Sequence, residues 1–265
     1  MIMSELKRLA CTVFIIMTGI CSFSQSSPDN LKVIFEKTGI FLTNCYLVSD
    51  ISSREAALID PGDNVPRLLR HIEDNKLNLK YILITHSHPD HIYGILSMDL
   101  RDKYPDAKVC MSREEYEDMY CVLSKWRNSY PAELVSAIEA SPEHLSLFEM
   151  DYDEIGCPDI IVEDLQVLEL GNYEIKVIKT PGHARGSVCY YVDNYLFSGD
   201  ELQCRKVGGT KNSIISSFEK QVRSIRKLYA LLPDETIVYP GHGPFTTIGM
   251  EKLHNRNITL EKAVQ

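Results

Sequence analysis

The strand-like run Tyr81-Ile82-Leu83-Ile84 delivers the chain straight into Thr85-His86-Ser87-His88-Pro89-Asp90-His91, which puts three histidines and an aspartate within six residues. Imidazole and carboxylate are good donors for divalent metals. A solvated polar loop gives no reason for four such groups to follow a hydrophobic strand. In extended backbone the side chains repeat every second residue, so His86 and His88 project to the same side. Asp90 and His91 fall at the following turn and point another way. One short segment can therefore serve two adjacent metal ions.

A protein metal site needs three or more ligands, so further donors must come from elsewhere. Three segments share one design, an apolar strand ending in a ligand flanked by glycine. They are Thr180-Pro181-Gly182-His183, Ser198-Gly199-Asp200 and Tyr239-Pro240-Gly241-His242-Gly243. Glycine beside a ligand permits tight turns and close backbone approach. Five of the eight histidines fall in these four motifs. The other three, His71, His144 and His254, lie in helical stretches and read as surface or packing residues.

Around the motifs the chain alternates strand blocks with helices. Leu31–Lys37, Phe41–Ser49, Glu55–Asp60, Lys80–Thr85 and Ala107–Met111 form the first block. Asp60-Pro61-Gly62-Asp63 is expected to stop a strand and cap a helix running to about Asn75. Residues 112–150 read as helical, with Ser112 and Glu115 as a capping box and a break at Tyr130-Pro131. A second block follows: Ile160–Val162, Leu165–Leu170, Tyr173–Thr180, Ser187–Val192 and Tyr195–Ser198. Gly171-Asn172 reads as a hairpin turn inside it. A helix over about Ile214–Leu232, the strand Thr236–Tyr239 and a C-terminal helix complete the pattern. Two strand blocks, each followed by helices, point to an α/β fold with two sheets face to face and helices outside. With no linker in sight, residues 25–265 form one domain, and 112–159 is a helical insertion.

In this order and spacing T-H-x-H-x-D-H, P-G-H, S-G-D and P-G-H resemble the metallo-β-lactamase-fold hydrolases. Within them the chain looks most like the glyoxalase II (hydroxyacylglutathione hydrolase) branch in its compact bacterial form. The resemblance covers about residues 31 to 258. It implies a four-layer αββα sandwich with a metal pair at the sheet edge. Carried over by position, His86, His88 and His183 hold the first metal, Asp90, His91 and His242 hold the second, and Asp200 bridges them. Asp60 supports the site by bonding to a ligand. Asp90 also takes the catalytic role of orienting the nucleophile, a hydroxide shared by two divalent ions that attacks a substrate carbonyl. The donors suit zinc (Zn2+) and also accept iron or manganese.

Departures from the family patterns narrow the choice. Aspartate at 200 argues against one major group of zinc β-lactamases, which have cysteine there. Histidine at 88 argues against the flavodiiron oxidoreductases, which have glutamate. Cys204, four residues past Asp200, is expected to be a loop cysteine. Only 23 residues follow His242, too few for the helical domain that helps classical glyoxalase II enzymes hold glutathione. Compact members often carry G-R-T-D where this chain reads Gly208-Gly209-Thr210-Lys211. Lys211, Arg205 or Lys206 is therefore the expected contact for a substrate carboxylate. The expected substrate is a small-molecule thioester or ester, with a lactone or lactam as alternatives. A persulfide dioxygenase, which shares the fold and motifs but uses one iron, is the alternative from another class.

Lys7 and Arg8, the uncharged stretch Leu9–Ile20 and small Ser22 and Ser24 have the order of a signal peptide, with cleavage after Ser24. Lipidation at Cys21 fits less well because Ile20 is bulky. Export to the periplasm, with no membrane span in the mature chain, is the expectation. Aromatic residues Tyr116, Tyr120, Trp126 and Tyr130 are expected near the site mouth, packing an added helix pair or, as the alternative, forming a lid that selects substrate. Cys45, Cys110 and Cys189 lie in apolar runs and read as core residues, with no disulfide framework. A net charge of −9 argues against a sequence-independent grip on nucleic acid or anionic lipid.

Overall fold

The computed structural model describes residues 30–128, 131–141, 146–210 and 216–258. The leader, Tyr130, His144 and Lys211 lie outside the described residues, as does the side chain of Trp126. Strands β1 (Leu31–Thr38), β2 (Thr43–Asp50), β3 (Glu55–Ile59), β4 (Asn78–Leu83), β5 (Lys108–Ser112) and β6 (Ile160–Val162) form one sheet in that spatial order. Its first three strands are antiparallel and the remainder run parallel. Strands β7 (Val167–Leu170), β8 (Tyr173–Lys179), β9 (Val188–Val192) and β10 (Tyr195–Gly199) belong to a second sheet. After a small hairpin of β11 (Leu202–Gln203) and β12 (Lys206–Val207), β13 (Ile237–Pro240) and β14 (Thr246–Thr247) complete it in the order β14-β13-β10-β9-β8-β7.

Patterning explains the layers. Every residue of β2 is buried, because the strand is covered on both faces. Cys45 and Leu47 pack with Leu68, Leu69 and Ile72 of the helix Pro66–Asp74. Tyr46 and Val48 face the second sheet, where Tyr173, Ile175 and Val177 of β8 meet them. On the far side, Ile225 and Leu228 of the helix Phe218–Leu231 cover Ile178, Cys189, Leu196 and Val238. The result is a single αββα sandwich. Its two sheets are tied together at one end by Val188 N–H donating to the Thr85 carbonyl at 2.9 Å and Asn44 N–H to the Gly241 carbonyl at 2.7 Å.

Several local expectations change. Phe41 and Leu42 stand outside β2, and Leu42 has φ 54°. Asp60 does not cap a helix; that helix starts at Pro66 with Val65 as N-cap and no side-chain cap bond. Proline fits the first helical position because its missing N–H has no partner there. The long helix begins at Phe218, where the Ser217 side chain accepts the Lys220 N–H, and the expected start at Ile214 lies outside the described residues. Only half of the Ser112–Glu115 capping box forms: Ser112 Oγ accepts the Glu115 N–H at 3.3 Å, while the carboxylate goes elsewhere. The helical segment 112–159 links β5 to its parallel neighbour β6, a connection that requires a crossover. Tyr116 bonds Cys157 Sγ at 3.0 Å and Tyr120 donates to Asp153, so both tyrosines pack on their own crossover. Cys45, Cys110 and Cys189 are fully buried, and no disulfide joins the described cysteines.

Candidate metal centre

The ends of the central strands converge at the tied end of the sandwich. β3 ends at Asp60, β4 leads to His86, β8 to His183, β10 to Asp200 and β13 to His242. Three donor groups have their ligand atoms mutually within 4.8 Å: His86, His88 and His183; His86, His91 and Asp200; and Asp90, His91 and His242. All seven expected ligands thus meet in one cluster. His88 Nδ1 lies 3.0 Å from both His86 Nε2 and His183 Nε2. Asp90 Oδ2 lies 3.2 Å from His242 Nε2 and 3.7 Å from His91 Nε2. Asp200 joins the groups, with carboxylate oxygens 3.8 Å from His91 Nε2, 3.8 Å from His183 Nε2 and 3.6 Å from His242 Nε2.

The other ring nitrogens show how the rings are aimed. His183 Nδ1 donates to the Gly209 carbonyl at 2.8 Å and His242 Nδ1 to the Phe41 carbonyl at 3.1 Å. His91 Nδ1 meets Asp60 Oδ2 at 3.0 Å. The same Asp60 oxygen accepts the Thr85 hydroxyl at 2.7 Å, and Thr85 Oγ1 lies 3.1 Å from His86 Nδ1. Asp60 therefore fixes His91 directly and His86 through Thr85. An acceptor at Nδ1 puts the proton there and leaves Nε2 to bind metal. His88 alone presents Nδ1 inward. Asp60 takes φ 50° to reach this position.

Charge follows the same division. Burial and the neighbouring histidines hold His86 well below its ordinary pKa, and burial pushes His88 down to about 3 and His183 down as well. Those rings are neutral, as ligands must be. Burial opposes charge on His91 too, but Asp90, Asp60 and Asp200 outweigh it and push His91 up to about 9. Burial likewise opposes charge on His242, and Asp200 and Asp90 raise it. Burial opposes charge on Asp90 and Asp200 as well, yet the neighbouring imidazoles pull both below the usual carboxylate range.

The donor set fits divalent cations on two counts. His91 Nε2 and Asp200 Oδ1 are buried without a hydrogen-bond partner, a cost that a cation between them removes. Four-coordinate metals with bonds of about 2.0–2.1 Å separate their ligand atoms by about 3.3 Å, near the spacings found here. Gly241 forms the wall: a Cβ there would lie 2.4 Å from Asp200 Oδ1 and 2.6 Å from His91 Cε1.

Some supports had no individual sequence signal. Thr43 Oγ1 donates to Asp90 Oδ2 at 2.9 Å. Glu201, buried beside Asp200, accepts the His183 N–H at 3.0 Å; its place next to a ligand was the available clue. Arg205, in the β11–β12 turn, and Lys206, the first residue of β12, are exposed. Their backbone is held by Glu251 of the helix Ile248–His254 and by Asn255, which caps that helix.

Fold and donors together define an α/β protein built around a centre for divalent metals. Residues 38–242 match the model of the metallo-beta-lactamase superfamily, and the chain belongs to that superfamily. Among curated relatives, protein ML0493 of Mycobacterium leprae is 31% identical, covering 82% of this chain and 94% of its own. The hydroxyacylglutathione hydrolase GloC of Haemophilus influenzae is 29% identical, over 81% of this chain and 92% of its own. Three solved structures are each 28% identical to it. The BLEG-1 B3 metallo-beta-lactamase superposes with TM-score 0.64 over 86% of this chain and 100% of its own. ETHE1 from Myxococcus xanthus gives 0.62 over 85% and 83%. TTHA1623 in a di-iron-bound form gives 0.62 over 84% and 98%. Among the described residues no helix is long and apolar enough to cross a membrane.

Proposed function

We propose that the chain is a dinuclear metal hydrolase of the glyoxalase II type that cleaves a thioester or ester. The observation that carries this is Asp200, one carboxylate within 3.8 Å of ligand nitrogens from both histidine groups. His86, His88 and His183 would hold one ion and Asp90, His91 and His242 the other, with the Asp200 carboxylate available to both groups. Divalent ions so placed, zinc foremost, bring the ionisation of water from about 15.7 to near 7 and polarise a carbonyl. The Thr43 hydroxyl holds the Asp90 carboxylate in place through Oδ2, and Asp90 orients the attacking water by accepting a hydrogen bond from it. Thr85 and Asp60 keep the His86 and His91 protons on the outer nitrogens. Lys211, Arg205 and Lys206 supply the cation for a substrate carboxylate; their substitution raises KM for anionic substrates and spares kcat.

Aspartate at 200 supports the thioesterase reading over the cysteine-bearing group of zinc β-lactamases, histidine at 88 supports it over the flavodiiron oxidoreductases, and the GloC relative agrees with it. The leader implies export and hence a substrate met outside the cytosol. The test loads the mature protein separately with zinc and iron and compares S-lactoylglutathione with a chromogenic cephalosporin. Thioester turnover with little lactam cleavage is expected. Cephalosporin turnover alone would replace this reading with a lactamase. One iron per chain, with oxygen uptake on a glutathione persulfide, would replace it with the dioxygenase.

A further inference from the structure

We propose that Glu115 is a positioning residue that sets the affinity of the first metal site, His86, His88 and His183, by clasping the two loops that carry those ligands. The inference rests on the dinuclear reading above. Glu115 stands in the first turn of the helix Arg113–Arg127 and is 1% exposed. Its Oε2 accepts the Ser87 N–H at 2.7 Å and the Ser87 hydroxyl at 2.8 Å. Its Oε1 accepts the Gly186 N–H at 2.7 Å. Ser87 lies between His86 and His88 on the loop after β4, in the first sheet. Gly186 follows His183 by three residues on the loop after β8, in the second.

The same helix start grips the second loop again. Ser112 Oγ donates to the Gly186 carbonyl at 2.7 Å. A Cβ at Gly186 would lie 2.4 Å from Ser112 Oγ, 2.7 Å from Glu114 Cβ and 2.8 Å from the Glu115 nitrogen, so no side chain fits between loop and helix. The helix is thus the common frame for all three first-site histidines. The second site has its own direct anchors, Thr43 on Asp90, Asp60 on His91 and the Phe41 carbonyl on His242, and Asp60 reaches the first site only through Thr85 and His86. None of them involves Glu115.

A carboxylate is needed because both backbone N–H groups require an acceptor, one on each oxygen. Glutamine offers one acceptor oxygen, so its NH2 must face either the Ser87 or the Gly186 N–H and push that loop away. His88 Nδ1 sits 3.0 Å from both partner nitrogens, a geometry that a small loop shift spoils. Outer partners of metal ligands are worth about 10–100-fold in metal affinity.

The experiment titrates metal-stripped wild type and E115Q with Co2+ against a competing chelator and follows the visible cobalt spectrum. Wild type is expected to take up two ions in two steps. In E115Q one step should weaken about 10–100-fold with a changed spectrum, while the other stays within about twofold. Two steps unchanged, or both weakened equally, would overturn the role of Glu115. Fewer than two ions in wild type would instead sink the dinuclear reading. If E115Q fails to fold, S87A removes only the hydroxyl donor and keeps both N–H groups. It should weaken the same step alone, by about tenfold or less. An unchanged first step in S87A then overturns the proposal.

Discussion

Replacing Asp60 with asparagine keeps the residue's shape and its tolerance of φ 50°, since Asn and Asp visit the left-handed region where other side chains are strained. What changes is hydrogen-bond logic. Oδ1 accepts the Thr85 N–H at 2.8 Å, and Oδ2 accepts both the Thr85 hydroxyl and His91 Nδ1–H. If the new NH2 takes the Oδ2 place, His91 must turn Nδ1 into an acceptor and carry its proton on Nε2, the atom that a metal needs. Metal affinity then falls about 10–100-fold, or about 1.4–2.8 kcal/mol. If the amide flips, the buried Thr85 N–H faces an NH2 and stability drops by about 1–3 kcal/mol. One cost or the other is unavoidable. Chelator competition measures the first and urea unfolding of the metal-free protein the second. D60N with wild-type metal affinity and wild-type stability would refute the claim that Asp60 orients His91.

Other substitutions separate metal-site effects from fold effects. G241A drives a methyl group into Asp200 and His91, and metal binding should weaken at least about tenfold by the same competition assay. Glu251 is buried and accepts from Arg205 N–H, the Thr246 hydroxyl and the Asn255 amide. E251A should therefore cost about 3 kcal/mol in urea unfolding while the protein keeps its metals. Burial opposes the charge of Asp50, but hydrogen bonds from Ser52, Asn172 and Ser53 outweigh it and hold its pKa at about 2, against an ordinary 3.8. A carboxylate lowered in this way stabilises the fold above pH 4 and loses that contribution as the pH falls from about 4 to about 2. D50N should lose about 2 kcal/mol at pH 7, and the gap to wild type should close across that acid window.

The candidate ligands were legible because each of their motifs follows an apolar strand, and parallel strands deliver their C-terminal ends to the same edge of a sheet. Asp60 was legible for the same reason. Thr43 and Glu115 were not, because their partners lie 47 and 28 residues away and periodicity carries no information about such pairs. Ser112 and Glu115 have the spacing of a capping box, and the N-cap half of it forms. The carboxylate is diverted because two buried N–H groups on the ligand loops need an acceptor more than the solvated end of a helix does. The helix boundaries at Pro66 and Phe218 shifted for a similar reason: caps are settled by local geometry and tertiary packing, which propensity reads only within a few residues. The αββα layering came through because the chain sets out two blocks of strands, each followed by helices that must cover them.

The central claim is that one carboxylate, Asp200, joins two histidine groups into a two-ion hydrolytic centre. Elemental analysis of zinc-replete wild type and D200A after dialysis, with thioester turnover on the same samples, tests it most directly. Two ions per chain in wild type, with ions and turnover lost together in D200A, is the predicted result. D200A retaining both ions and full turnover would contradict it.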